Sequence, residues 1–368
     1  MSAAAEPLRP ILRGVRVTRT RAALVLGGLT LTWAAAVLLA TAFGESELGL
    51  LRALHDPGSP ERFVLLELRL PRILLATVVG AALAASGAAL QALLRNALAD
   101  PFVLGVSGGA ALGGTLALAL GAGALGAALA SAAGALPPPV GPLLEGVLAR
   151  SPATLCALAG AFFATAVVYF AGRFGGRLSP YAALLAGVIF NALASAAITF
   201  IKALSPPERV GELLYWLAGS LEYPEWTSVL GVAVFEALGI ALLLLHARSL
   251  NLLSLGDEGA ASLGVDVERV RRALFFGTSL CVAAAVAVSG LIGFVGLIVP
   301  HVLRLWLGPD QRLLLPASVL GGAAFLVLAD LLARVLFTPL GTSTPVGVLT
   351  ALIGGQIFLW LLRRAGAA

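Results

Sequence analysis

Apolar runs of about 20 residues, the length that carries an α-helix across a bilayer, recur from Ala22 to the C-terminus with short polar breaks between them. In order, they predict spans over residues 22–43, from Arg72 to about 94, from 102 onward, and over 153–172, 181–201, 227–246, 273–289, 291–307, 313–335 and 346–362. The alternating pattern of a membrane β-barrel is absent, so the backbone must satisfy its hydrogen bonds within helices. The expectation is an all-α polytopic membrane protein of about ten spans.

The breaks set its orientation. Arg9, Arg13, Arg16, Arg19 and Arg21 precede the first run, and every break on the same side carries at least one arginine, down to Arg363 and Arg364. By the excess of positive charge on cytoplasmic loops, both termini lie in the cytoplasm and residues 1–21 form a cytoplasmic segment. The first run outlasts the 7–15 residue core of a secretory signal; although Ala40-Thr41-Ala42 resembles a cleavage site, it reads as an uncleaved span. Residues 44–62, 132–152 and 202–225 are expected outside. The second of these is rich in proline, and the third is expected to hold an interfacial helix near Leu213 to Leu217, anchored by Tyr215, Trp216, Tyr223 and Trp226.

One stretch breaks the apolar pattern. From Leu250 to Arg272 the chain runs through Leu252, Leu253 and Leu255, then Ala260, Ala261 and Leu263, with Gly256, Gly259 and Gly264 interrupting. This predicts two brief amphipathic turns, too short to cross a bilayer, on the cytoplasmic side. Such a segment either lies on the lipid interface or fits the groove of a partner protein.

Composition narrows the function. With 59% hydrophobic and 12% charged residues and a mean hydropathy of +0.99, the chain is no soluble globular domain. The formal charge of +5 sits at span ends without a continuous basic face, which argues against nucleic acid. Cys156 and Cys281 lie inside apolar runs as small packing residues, and His55, His246 and His301 share no ligand spacing, so no metal site is expected. Glu236 and Asp330 are the acids well inside spans, fewer than a proton relay uses, which disfavours a secondary carrier. The only lysine, Lys202, lies between Ile201 and Ala203, so the chain has no Walker A loop. Were transport ATP-driven, a separate ATPase would have to act on a cytoplasmic surface, and residues 250–265 are the best one available.

The remaining motifs carry a resemblance. Arg69-Leu-Pro-Arg72, Gly80-Ala-Ala-Leu-Ala-Ala-Ser-Gly87, Gln91, Arg95-Asn-Ala-Leu-Ala-Asp-Pro101 and Leu104-Gly-Val-Ser-Gly-Gly-Ala110 form an early signature. Gly293-Phe-Val-Gly-Leu-Ile-Val-Pro-His-Val-Leu-Arg304, Gly308-Pro-Asp-Gln-Arg312, Asp330, Arg334 and Pro345-Val-Gly347 form a late one. Together they resemble the FecCD-type permeases, membrane subunits of ABC importers for iron-siderophore chelates, haem and vitamin B12. The chain departs from that pattern at Ala97, where proline is usual, at Ser343, where glutamate is common, and at Gln356, where another proline is usual.

The resemblance implies a type II importer permease fold over residues 22–368 and import of an iron chelate, with vitamin B12 as the alternative. It implies a homodimer in the inner membrane, two ATPase subunits that carry the ATP and Mg, and an extracytoplasmic binding protein. The chain itself binds no cofactor and performs no catalysis. The coupling surface then comprises Leu252, Leu253, Leu255, Gly256, Ala260, Ala261, Leu263 and Gly264. Arg69, Arg72 and Arg334 are expected at the outer mouth, either meeting carboxylates of the binding protein or snorkelling at the interface, with Asp330 one turn from Arg334 and able to pair with it. Ser179 and Pro180 match the position of the cytoplasmic gate. A faint echo between Ala186–Leu193 and Val346–Ile353 suggests that the fifth and tenth spans line a pathway. Asn191, Ser195, Thr199 and Thr350 would then present polar atoms to it, unless they serve as interhelical hydrogen bonds.

Overall fold

The computed structural model describes residues 18–44, 49–56, 58–120, 131, 152–174, 177–221, 224–337 and 345–365. The N-terminal arginines before Thr18, the proline-rich loop over 132–151 and Ser343 lie outside the described residues. Among the described residues ten principal helices follow the apolar runs: α1 (Arg19–Ala42), α2 (Leu70–Leu93), α3 (Val106–Leu120), α4 (Pro152–Ala171), α5 (Pro180–Leu204), α6 (Trp226–Leu245), α7 (Val267–Ser289), α8 (Val295–Leu307), α9 (Gln311–Phe337) and α10 (Val346–Ala365). Among the described residues seven helical segments are long and apolar enough to cross a membrane, and three shorter apolar helices accompany them. The only sheet among them is a two-residue antiparallel ladder, Arg173–Phe174 with Arg177–Leu178.

Helix α2 is the axis of the bundle. It is buried over most of its length and packs on α6, α7, α8 and α9. Small residues permit this, because in lipid helices associate through close packing rather than the hydrophobic effect. A Cβ on Gly87 would overlap the main-chain carbonyl of Gly296 in α8, and one on Gly80 would overlap that of Gly322 in α9. The early and late signatures are therefore one contact in space. Gln91 extends it: its amide donates to the Leu297 carbonyl at 3.1 Å, and its oxygen accepts from Arg304 at 2.8 Å.

Three expectations change. The second span starts earlier than its apolar run: Pro60–Phe63 is already helical and continues through a π-helical stretch, Val64–Arg69, into α2. The external loop before it also contains the helix Leu50–His55. Helix α7 begins at Val267, because Asp266 accepts from the Arg269 amide at 3.0 Å and caps it. Arg269, Arg271 and Arg272 thus lie within its first turns rather than closing the polar segment. Finally, the helix near Leu213 spans Pro207–Leu217 with Leu213 fully buried, and Trp216 lies against Gly114 of α3, so it belongs to the core as much as to the interface.

Candidate functional site

The polar segment folds as expected into two short helices, Ala247–Leu253 and Asp257–Ser262. Their apolar residues divide by direction. Leu250, Leu253 and Ala260 are buried against the bundle, whereas Leu255 is 65% and Leu263 58% exposed, with Ala261 and Gly264 exposed beside them. Leu252 and Gly256 are half-buried. The outward apolar patch is therefore Leu255, Ala261 and Leu263, and Leu253 is part of its foundation.

Three fastenings hold this segment to the bundle. The side chain of Asn251 donates to Asp310 at 2.7 Å and accepts from the Gln311 amide at 2.8 Å, which joins the first short helix to the start of α9. Hydrogen bonds to the Arg312 side chain, together with those from Asn251 and the Arg312 amide, outweigh partial burial and hold the Asp310 carboxyl down at about 2. The second fastening is Arg95, whose Nε donates to the Leu253 carbonyl at 3.0 Å and whose Nη2 meets Asp257 at 2.9 Å. The third is Arg271 of α7, 2.6 Å from the other oxygen of Asp257. Asp257 thus bridges the segment to the ends of α2 and α7.

Arg95 occupies an unusual backbone position. It follows the last turn of α2 at φ 50°, in the left-handed region, where Asn96 donates to the Gln91 carbonyl at 3.0 Å and Arg95 to that of Ala92 at 3.3 Å. This is the double closure usually built on glycine. A non-glycine residue there costs about 1–2 kcal/mol, and the side-chain contacts to Leu253 and Asp257 account for an arginine in its place.

Ser179 and Pro180, expected at the gate, adjoin this network. Ser179 accepts from the Ala182 amide and caps α5, with Pro180 as first helical residue. Both line a cavity of about 300 Å³ together with Arg95, Tyr181, Asp257 and Arg271. Glu268 of α7 also accepts from the Leu178 amide at 3.1 Å, immediately before Ser179 and Pro180. The polar segment, the end of α2 and the start of α5 thus form one connected site.

The other expected residues fall into two groups. Arg69, Arg72 and Arg334 are only 5%, 6% and 5% exposed, so they do not stand as surface charges on this chain. Arg72 makes a bidentate contact to Asp330, with Nη2 at 2.9 Å and Nε at 3.0 Å, while Arg334 reaches the other carboxylate oxygen at 3.0 Å. Arg69 donates to the Thr41 carbonyl at 2.7 Å, at the C-terminal end of α1 where the helix dipole favours a cation. This cluster locks α1, α2 and α9 together at the end of α2 remote from Arg95. On the pathway side, Ser195 and Thr199 are exposed on α5, one turn apart. The Asn191 side chain instead joins α5 to the start of α3, donating to Phe102 and accepting from Gly108, and Thr350 is buried and bonded to Gly347 of its own helix. Helix α5 packs on α3 and α4, α10 on α8 and α9, and among the described residues the two make no extensive contact.

Sequence reasoning missed Asn251, Asp257, Glu268, Arg271 and Asp310 as fasteners and gave Arg95 no role in the site. Each is an ordinary polar residue in or beside a break, and its importance lies in a partner 14 to 162 residues away.

The described residues form a multi-pass helical bundle with an outward apolar patch on short helices tied to the ends of its spans, an architecture that suits a membrane transport subunit. The FecCD transport family model matches residues 29–364, and the chain belongs to that family, the permeases of ABC importers, with the type II permease fold. It is 39% identical to the hemin transport system permease HmuU of Yersinia pestis, over 94% of this chain and 97% of that one. It is 43% identical to the cobalamin import system permease BtuC of Halobacterium salinarum, over 80% of this chain and 72% of that one. Among solved structures it matches an inward-facing conformation of a putative metal-chelate type ABC transporter with a TM-score of 0.77 and 32% identity, covering 93% of this chain and 99% of the other.

Proposed function

We propose that the chain is the membrane subunit of an ATP-driven importer that brings an iron chelate, a siderophore complex or haem, into the cytoplasm. The observation that carries the mechanism is the Asp257 bridge. A face carrying exposed Leu255 and Leu263 is tied through Arg95 and Arg271 to the cavity that holds Ser179 and Pro180. A push on that face by an ATPase moves the end of α2 and the start of α5 together, and so opens or closes the pathway at its cytoplasmic end.

In this reading ATP and Mg are bound by the partner ATPase and none by this chain. Both termini lie in the cytoplasm and the assembly sits in the inner membrane. A second copy of the chain covers α5, where Leu185, Leu193 and Phe200 are exposed beside Ser195 and Thr199. The binding protein docks at the opposite end, where Arg69, Arg72 and Arg334 shape the surface by holding α1, α2 and α9 in register.

An iron chelate is favoured by the hemin permease relative, which is matched over nearly its full length, and by the metal-chelate transporter among solved structures. Vitamin B12 is the second reading, on the strength of the cobalamin permease relative. Purifying the cognate binding protein and identifying what it retains separates them: a cobalamin would replace the iron chelate. The coupling face is tested by Leu255→Asp with Leu263→Asp. Loss of an interface anchor costs about 2 kcal/mol, roughly thirtyfold in affinity, so the ATPase should no longer copurify while the permease still folds. An ATPase that remains attached would place its docking surface elsewhere.

A further inference from the structure

A groove of about 460 Å³ lies between α4 and α7, away from the coupling site. Phe162, Ala166, Tyr169 and Phe170 of α4 face Phe275 and Phe276 of α7 across it. The hydroxyl of Thr165, on this length, donates to the Ala161 carbonyl of its own helix at 2.8 Å and is satisfied there. Phe170 and Phe276 are 69% and 57% exposed, so the groove opens outward.

One end has a different chemistry. Arg272 closes the groove at the start of α7; it is exposed and makes no ion pair among the described residues, its Nε reaching only the Glu268 carbonyl at 3.4 Å. The guanidinium of Arg173 stands 5.5 Å from the centroid of the ring of Tyr169, one of the residues that line the groove. Tyr169 in turn packs on Phe275 with ring centroids 6.0 Å apart. The trough is hydrocarbon-like along two membrane helices and cationic at the height where they leave the bilayer. An acyl chain fits the first part and a phosphate the second. A zwitterionic headgroup would bring an ammonium toward two guanidinium groups, whereas an anionic one meets them with complementary charge.

We propose that the α4–α7 groove binds an anionic phospholipid of the leaflet on the coupling side, its acyl chain along the aromatic walls and its phosphate at Arg272, with Arg173 over Tyr169 adding positive charge to that lining. The ligand would brace α4 against α7, the two helices that wall the groove.

The test uses the purified chain in a neutral detergent with phosphatidylglycerol or phosphatidylcholine of identical acyl chains, read by native mass spectrometry and by thermal melting. Phosphatidylglycerol should be retained in preference and should raise the melting temperature more. Arg272→Gln should weaken its retention about fivefold, the worth of one arginine at an anionic membrane surface, and Arg173→Gln should do the same. Ala166→Trp fills the groove and should abolish retention, with Ala166→Leu as the smaller filling should the tryptophan variant not fold. Equal retention of the two lipids would overturn the proposal, as would undiminished phosphatidylglycerol on the filled groove. A change of oligomeric state in the filled variant with lipid retention intact would make the groove a contact between copies and likewise defeat it.

Discussion

Arg95 and Asp257 meet at 2.9 Å across 162 residues of sequence, and the same arginine holds the carbonyl of Leu253. The end of the central helix is thereby tied to the segment expected to receive the ATPase. Both side chains are nearly half exposed, so the pair adds little stability, about 0–1 kcal/mol, and the role proposed for it is mechanical.

Arg95→Gly separates those two roles. Glycine relaxes the left-handed backbone at φ 50° and should leave the melting temperature unchanged or raised. The tie to Asp257 is lost, so ATP-driven uptake should fall about tenfold, within the usual range of coupling energies, while the ATPase stays attached. Transport assays in proteoliposomes beside a melting curve check both halves. Unimpaired uptake would remove Arg95 from the coupling path.

The buried cluster of Arg72, Arg334 and Asp330 makes the opposite prediction. Asp330→Ala removes the carboxylate that two buried guanidinium groups share, and breaking a buried pair in this way costs about 3–5 kcal/mol. Replacing Asp330 and Arg72 together by apolar residues should recover part of that loss. Thermal unfolding of the single and double variants measures it, and a single variant as stable as the parent would mean that Asp330 does not hold α2 to α9.

At the crossing of α2 and α8, Gly87→Ala should drive the helices apart at the Gly296 carbonyl and destabilise by about 1–3 kcal/mol or more. Gly355 in α10 is the control. An added Cβ there meets nothing within 4 Å, so Gly355→Ala should be neutral or gain up to about 1 kcal/mol of helix propensity. Melting curves of the two alanine variants should separate clearly.

The Asp310 clamp has a defined pH window. Its carboxyl is held at about 2, below its ordinary value of 3.8. The clamp's contribution is therefore present in full above that ordinary value and is lost as pH falls through about 2. Over the physiological range it should be independent of pH. Asp310→Asn should mimic the acid state at neutral pH, raising amide exchange at Gln311 and Arg312, whose protection in the parent should not change between pH 6 and 8.

Much of this protein is legible in one dimension. Each apolar run must become a helix because lipid offers the backbone no other partner, so the class, the approximate number of spans and the short amphipathic helices at 250–265 follow from local pattern. Even the Asp330–Arg334 pair is a local, one-turn relationship. The tertiary structure decided what lies across the bundle. It turned the three expected mouth arginines inward onto Asp330 and the end of α1, brought Gly87 against Gly296, and made Leu253 foundation while leaving Leu255 and Leu263 as surface. It also set Asp257 between Arg95 and Arg271. A run of alanine, leucine and glycine fixes a helix but hardly its rotation, because nearly every face is apolar; the neighbour each face meets is chosen only when small residues let two particular backbones approach.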